Sequence, residues 1–315
     1  MILYHCPDVQ MKCAGMTRLY HHVNILTKHG FDAAILHENK NFVLDDQPSV
    51  PIQYGRIQEG DIVVIPESYP GIMHEIRHYP IRRFAIALSW SYLFETLPDH
   101  LDWRDFNIER AMVVSPFIGK LIKWSMNIPS HLIIAGLNNS LYYHESSSPK
   151  EPWISYIKRK GSLVPYLKRI LNAKNSDYVN KIKWIPLENL SEKEYASMIR
   201  KSIIFLNVST AEGLVSSCLK AMKCGTIVAG FDSIGGSDLL IGSGHNQNSI
   251  LAQTGDYVSL AYKLEPLLND MINSQVNAWE KIISNGMDTT NPFTMEAEEK
   301  SLIEFWTKYY NEAVR

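Results

Sequence analysis

The residues best suited to chemistry lie together in 209–240, which reads STAEGLVSSCLKAMKCGTIVAGFDSIGGSDLL. An apolar, strand-like run over 202–208 enters a small polar turn, Glu212-Gly213. An amphipathic helix is predicted next, with Val215, Leu219 and Met222 on one face, closing at Gly225. A second apolar run over 226–230 leads to Gly235-Gly236. Strand, turn, helix, strand and Gly-Gly loop make a right-handed βαβ unit, and such units take ligands at the carboxyl ends of their strands. Unpaired backbone N–H groups of Gly213, Leu214, Val215 and Ser216 at the helix start suit a phosphate. A carboxylate just ahead of them repels phosphate, so Glu212 is better placed to grip the hydroxyls of an attached sugar. The segment reads as a nucleotide-sugar site.

The same stretch resembles the donor-site signature of retaining GT-B glycosyltransferases of family 4, Glu-Gly-Phe-Gly-Leu-Pro-x-Leu-Glu-Ala-Met-Ala-x-Gly. Glu212, the Ala221-Met222 pair and Gly225 match that pattern. Lys220 departs from it, standing where the family carries the second acid of its Glu-x7-Glu pair. The resemblance implies that position 220 lies beside the donor's ribose. Lys220 either donates to ribose oxygens or the diphosphate, or turns away from the donor and leaves the ribose to other groups.

A second group of polar residues opens the second half of the chain. Residues 154–160, ISYIKRK, form an apolar strand that delivers three cations at its carboxyl end. The resemblance implies that Arg159 and Lys160 hold the donor diphosphate. Departure of a nucleoside diphosphate builds charge on its β-phosphate, and fixed cations lower that barrier. Lys158, one step away along the chain, points elsewhere. By the same resemblance the nucleotide base rests near Pro186 and Leu187, and Gly15, after the first strand, lets backbone approach the ligand. Gly235 and Gly236 line the sugar end. Glu212, Arg159 and Lys160 are therefore the candidate catalytic residues, with retention of configuration and no metal or other cofactor expected.

Composition bounds these readings. A chain of 315 residues, 45% hydrophobic and 20% charged, is that of a folded protein with room for two domains. The net charge of −2 makes no global case for nucleic acid or membrane. Four cysteines, Cys6, Cys13, Cys218 and Cys224, lack C-x-x-C spacing, which argues against structural zinc and for reduced thiols. No apolar run nears the roughly 20 residues of a membrane span. The start, MILYHCP, reads as a first strand and not as a leader, so a cytoplasmic protein is expected, with peripheral membrane attachment left open. No P-loop motif and no G-x-G-x-x-G after a strand is present, which excludes P-loop kinase and Rossmann dehydrogenase readings.

The elements that must position these residues alternate along the chain. Strands are predicted at 1–5, 31–37, 61–66, 83–88, 111–115, 131–135, 153–157 and 183–185, besides the two beside the motif. Helices are predicted at 16–29, with Leu19, Val23 and Leu26 on one face, and at 190–200, where Ser191 and Glu194 make a capping box. The fold class is α/β: two Rossmann-like, doubly wound domains facing a cleft in the GT-B manner. The expected division is 1–145 and 146–295, with a polar linker at 140–152. A final helix over 296–315, bearing Leu302, Phe305, Trp306 and Tyr309, crosses back to the first domain.

Other residues carry weaker signals. His21 and His22 are adjacent on a helix, so one is expected in solvent, and no partner spacing suggests a metal. His5 and Trp90 end strands, where core roles are as natural as sugar contacts. Between Lys158 and Lys183 lie eight Lys or Arg and one acid, Asp177, a run that could follow a polyanion. Three readings follow: transfer of a sugar from a nucleotide-diphosphate sugar to a glycan or lipid-linked acceptor, the same chemistry on a DNA base, or a nucleotide-sugar-binding relative with weakened catalysis.

Overall fold

A computed structural model describes residues 1–9, 14–42, 44, 47–95, 97–236 and 238–310. It divides into two units, one formed by Met1–Ala135 with Glu296–Arg315 and the other by Gly136–Met295. Cys13 and positions 311–315 of the expected final helix lie outside the described residues.

The first unit runs β1 (Ile2–His5), α1 (Ala14–Lys28), β2 (Ala33–His37), β3 (Ile52–Tyr54), β4 (Ile62–Pro66), α2 (Pro70–Glu75), β5 (Arg82–Ala87), α3 (Tyr92–Glu95), β6 (Ile108–Val113), α4 (Pro116–Met126) and β7 (Ser130–Leu132). Its seven strands are parallel in the order β3-β2-β1-β4-β5-β6-β7. The unbroken apolar run of β4 is buried along its whole length, as a central parallel strand covered on both faces requires. Chain order reverses between β1 and β4, so the ligand-binding crevice of such a sheet lies beyond His5 and Pro66.

The last helix, α11 (Met295–Tyr310), belongs to this first unit. Leu302, Phe305, Trp306 and Tyr309 join the core formed by α1 and the facing side of the sheet. The Trp306 ring stacks on Phe84 at 5.6 Å, and its Nε1 donates to the Tyr4 hydroxyl at 3.1 Å. Glu298, fully buried, meets the Arg18 guanidinium on α1. His22 is buried and His21 stays 26% exposed, and both imidazoles turn toward the same carboxylate, at 3.4 and 3.8 Å. Burial alone would raise the Glu298 carboxyl, but His22 and Arg18 outweigh it and hold the group at about 2. The same burial pushes His22 below the ordinary imidazole range.

The second unit runs β8 (Glu151–Ile157), α5 (Val164–Lys174), α6 (Asp177–Lys181), β9 (Lys183–Leu187), α7 (Glu192–Lys201), β10 (Ser202–Asn207), α8 (Ser216–Lys223), β11 (Ile227–Phe231), β12 (Ser249–Ala252), α9 (Tyr257–Ile272) and α10 (Glu280–Thr289). Five parallel strands stand in the order β12-β11-β10-β8-β9, and chain order reverses between β10 and β8. The α7 start is the expected capping box: Ser191 accepts from the Glu194 N–H while Glu194 accepts from the Ser191 N–H.

Four expectations need correction. The segment 140–152 is not a spacer, because Tyr142 is fully buried in the second unit's core and β8 begins at Glu151. The division falls before Gly136, since one buried aromatic ring outweighs the polar composition around it. The strand predicted at 183–185 runs on to Leu187, so Pro186 lies inside β9 opposite Tyr156. It is tolerated there because β9 is an edge strand, whose outward N–H groups need no partner. The strand predicted at 131–135 is centred earlier, on Ser130–Leu132.

Candidate functional site

Two strand ends and one loop build the site in the second unit. Beyond β8 the chain turns through a single 3-10 turn, Lys158–Lys160, which fans its three cations apart. Lys158 pairs with Glu188 at 2.5 Å on the surface. Arg159 is exposed and makes no ion pair among the described residues. Lys160 turns inward, and its ammonium contacts the Glu212 carboxylate, both side chains being only 20% exposed. Gly161 sets this turn against the Tyr156 ring, where a Cβ would come within 2.8 Å of the ring edge.

Glu212 comes from the loop after β10. That loop is laced to the one after β11 by an isolated parallel bridge, Ala211 to Ile234, with the Glu212 N–H donating to Ile234 O at 2.9 Å. The bridge brings Glu212 beside Gly235 and Gly236. Gly235 has φ +89°, a conformation that favours glycine, and a Cβ on Gly236 would meet Val215 at 2.5 Å. Deeper in, Gly230 lets β11 close on β10, because a Cβ there would fall 1.9 Å from Asn207 O. Asn207 and Ser233 tie the two loops below: Asn207 Nδ2 donates to Ser233 Oγ at 3.0 Å, and Ser233 Oγ donates to Ser209 O at 2.6 Å.

Lys160 and Glu212 thus meet across the β8–β10 boundary, where the strand order of this sheet reverses. A recess of about 10 Å³, room for roughly one water, sits beneath them between Ile157, Lys160 and residues 205–209. At the head of α8 no backbone acceptor pairs with the N–H of Leu214 or Val215 among the described residues. The Ser216 N–H was expected to be open as well, but it donates to Leu214 O at 2.7 Å. Gly213 stands between Glu212 and these amides. An anion placed over Leu214 and Val215 would meet two amides, and the Lys160 ammonium lies on the same edge.

The remaining sequence candidates are more scattered. Pro186, exposed, and Leu187, buried in the core, end the edge strand β9. Gly15 lies in the first turn of α1, in the other unit. Lys220 does not swing out into water. Its ammonium sits 3.3 Å from Glu192 and over the rings of Tyr142 and Tyr195, at 4.7 and 5.7 Å from their centroids. The basic run is also broken up, since Lys158, Lys174 and Lys181 pair with Glu188, Glu265 and Asp177.

The sequence reading missed one group, Glu67, which follows β4 at the reversal point of the first sheet. It is buried and accepts the N–H groups of Leu88 and Ser89, at 3.0 and 2.8 Å, beyond the end of β5. Burial pushes its carboxyl up to about 7 despite those bonds and its own N–H. No spacing in the sequence marks it, because its partners are backbone groups 21 and 22 residues away. A carboxyl raised from 4.5 to about 7 takes up a proton in the folded state that the unfolded chain has released. Stability contributed this way is full below about pH 4.5 and is lost as pH rises toward 7. Glu67→Gln, which keeps an acceptor oxygen and has no charge, should match the parent at pH 4.5. It should exceed the parent above pH 7 by about 3 kcal/mol, read from urea unfolding at the two pH values.

No model of a protein family matches the sequence, and no curated protein sequence matches it either. Solved structures do. Sucrose-phosphate synthase from Thermosynechococcus elongatus superposes with a TM-score of 0.71 at 13% identity, over 99% of both chains. A glycosyltransferase from Rickettsia africae gives 0.70 at 13% identity, over 98% of this chain and 97% of that one. HepE from Anabaena, solved with UDP and glucose, gives 0.62 at 14% identity, over 98% and 99%. Likeness at such identities concerns the fold, and the fold is GT-B: two Rossmann-like units, each built on a parallel sheet.

Proposed function

We propose that this chain is a glycosyltransferase that moves a sugar from a nucleotide-diphosphate sugar to a glycan or lipid-linked acceptor, with retention of configuration and without a metal. The observation that carries the reading is the Lys160–Glu212 contact at the reversal point of the second sheet. Sheets of this kind bind ligands at that point. A cation and a carboxylate held there side by side are the two functions a sugar diphosphate needs. Support also comes from the fold neighbours, among them HepE, solved with UDP and glucose.

In this reading the diphosphate enters against Arg159, Lys160 and the Leu214 and Val215 amides. Lys160 shifts its ammonium from Glu212 to the β-phosphate. Glu212 is thereby released to accept hydrogen bonds from hydroxyls of the transferred sugar. Bond cleavage leaves negative charge on the β-phosphate oxygen, which the two cations and the amides stabilise in place. The acceptor hydroxyl attacks from the face the diphosphate leaves, and the departing phosphate oxygen takes its proton, so no protein base is required. Lys220, held by Glu192, Tyr142 and Tyr195, serves in this reading to fix the start of α7 against α8.

A thermal-shift screen across nucleotide sugars, with release of free nucleoside diphosphate measured for each, tests the reading. A true donor at 100 times its Kd should stabilise the protein by about 2.7 kcal/mol. It should also be slowly hydrolysed without acceptor. A flat response to every nucleotide sugar would remove the proposal.

A further inference from the structure

We propose that the face formed by α5 and α9 joins two copies of this chain about a two-fold axis. Both helices cover the same side of the second sheet, where their inner residues share one core. Their outer sides are not polar. Leu163 at the head of α5, Tyr166 and Ile170 are exposed, and so are Val258 and Tyr262 of α9. Spacings of three and four residues set each group in one stripe along its helix. Lys174 and Glu265 continue the two stripes by a further turn, and they pair at 3.4 Å. The stripes therefore face each other along one groove.

Area and charge say what covers it. Tyr262 is 70% exposed and Tyr166 62%. With about 150–250 Å² to a whole aromatic side chain, the five residues leave on the order of 500 Å² open. An exposed apolar patch of about 300–600 Å² is often functional. Doubled by a two-fold axis, this one reaches about 1,000 Å², the lower bound for a specific interface. Charge is self-complementary as well. Helix α5 carries Lys168, Arg169 and Lys174 and no acid, whereas α9 carries Glu265 and Asp270 against Lys263. A two-fold axis along the groove sets the basic helix of each copy over the acidic helix of the other. A nucleic acid strand fits less well. Glu265 already neutralises Lys174, and Leu163, Ile170 and Val258 have no ring on which a base could stack.

The inference stands apart from the proposed reaction, because its test reads mass alone. The full chain is brought to sedimentation equilibrium over a range of concentration and salt, with and without single-stranded DNA. A dimer with a Kd in the micromolar range is expected, and it should weaken as salt rises. Tyr166→Ser with Tyr262→Ser should raise that Kd at least about 100-fold, because each lost ring counts twice across the axis. Arg169→Glu, which sets an acid against the acidic α9, should raise it about tenfold. These changes leave the inner sides of both helices intact. Thermal unfolding of each variant should therefore match the parent in dilute samples, where all are monomeric. A parent that stays monomeric at about 100 μM, well above the expected Kd, would overturn the proposal. So would a dimer that both variants leave intact, or a monomer that binds the DNA through Tyr166.

Discussion

Replacing Lys160 by alanine is expected to cut sugar transfer by about 10²–10³-fold, the usual loss when one fixed group facing developing negative charge is removed. The loss should fall on kcat, because the charge that Lys160 meets grows as the diphosphate departs. Its side chain lies beyond a strand end, outside the apolar core, with Glu212 as its ion-pair partner, so the variant should fold. Glu212→Gln separates the two roles. It frees the ammonium from its carboxylate, so a bare nucleoside diphosphate should bind more tightly, while transfer slows because the sugar hydroxyls lose a charged acceptor. A structural ion pair would behave otherwise: both variants would lose stability, and neither would show opposite changes in diphosphate binding and turnover. Steady-state rates and diphosphate inhibition constants for the two variants decide between these outcomes.

The largest effect on stability should come from Trp306→Ala, at about 3–5 kcal/mol by urea unfolding. Trp306 has no exposed surface, stacks on Phe84 and packs edge-on to Phe305, so alanine leaves a cavity between helix and sheet. The Tyr4 hydroxyl also loses the indole donor, though it keeps its own contact with Met112 Sδ at 3.6 Å. Trp306→Phe should restore most of the loss, since it refills the space and lacks only that hydrogen bond. Because α11 lies in the first unit, unfolding followed by a probe in the second unit should move less than unfolding followed in the first. Equal shifts in both probes would mean that the two units unfold as one.

Much of this molecule was legible from its residues. The αβ alternation, the Ser191–Glu194 box and the apolar face of the last helix all rest on local spacing, which survives folding unchanged. The motif around Glu212 was likewise visible, because loop, helix and return strand are contiguous there. What spacing could not show was pairing at a distance. Lys160 and Glu212 are 52 residues apart, and only the parallel register of β8 on β10 brings them together. Glu67 escaped notice for the same reason. The short strand β3 was missed because its three residues are partly exposed and carry no apolar alternation. Tyr142 shows the opposite failure, where polar neighbours hid a buried ring and displaced the expected boundary.

Calorimetric titration of the chain with UDP, GDP and ADP, each beside its parent nucleoside, measures the central claim most directly: that cations beyond β8 and amides at the head of α8 hold a diphosphate. One of the three diphosphates is expected to bind about 100-fold or more tighter than its nucleoside, since two charge-assisted contacts at about 1.5–3 kcal/mol each are added. Arg159→Ala should remove at least about tenfold of that margin while leaving nucleoside binding unchanged. A diphosphate that binds no better than its nucleoside, or a margin that survives the loss of Arg159 intact, would contradict the assignment of this site.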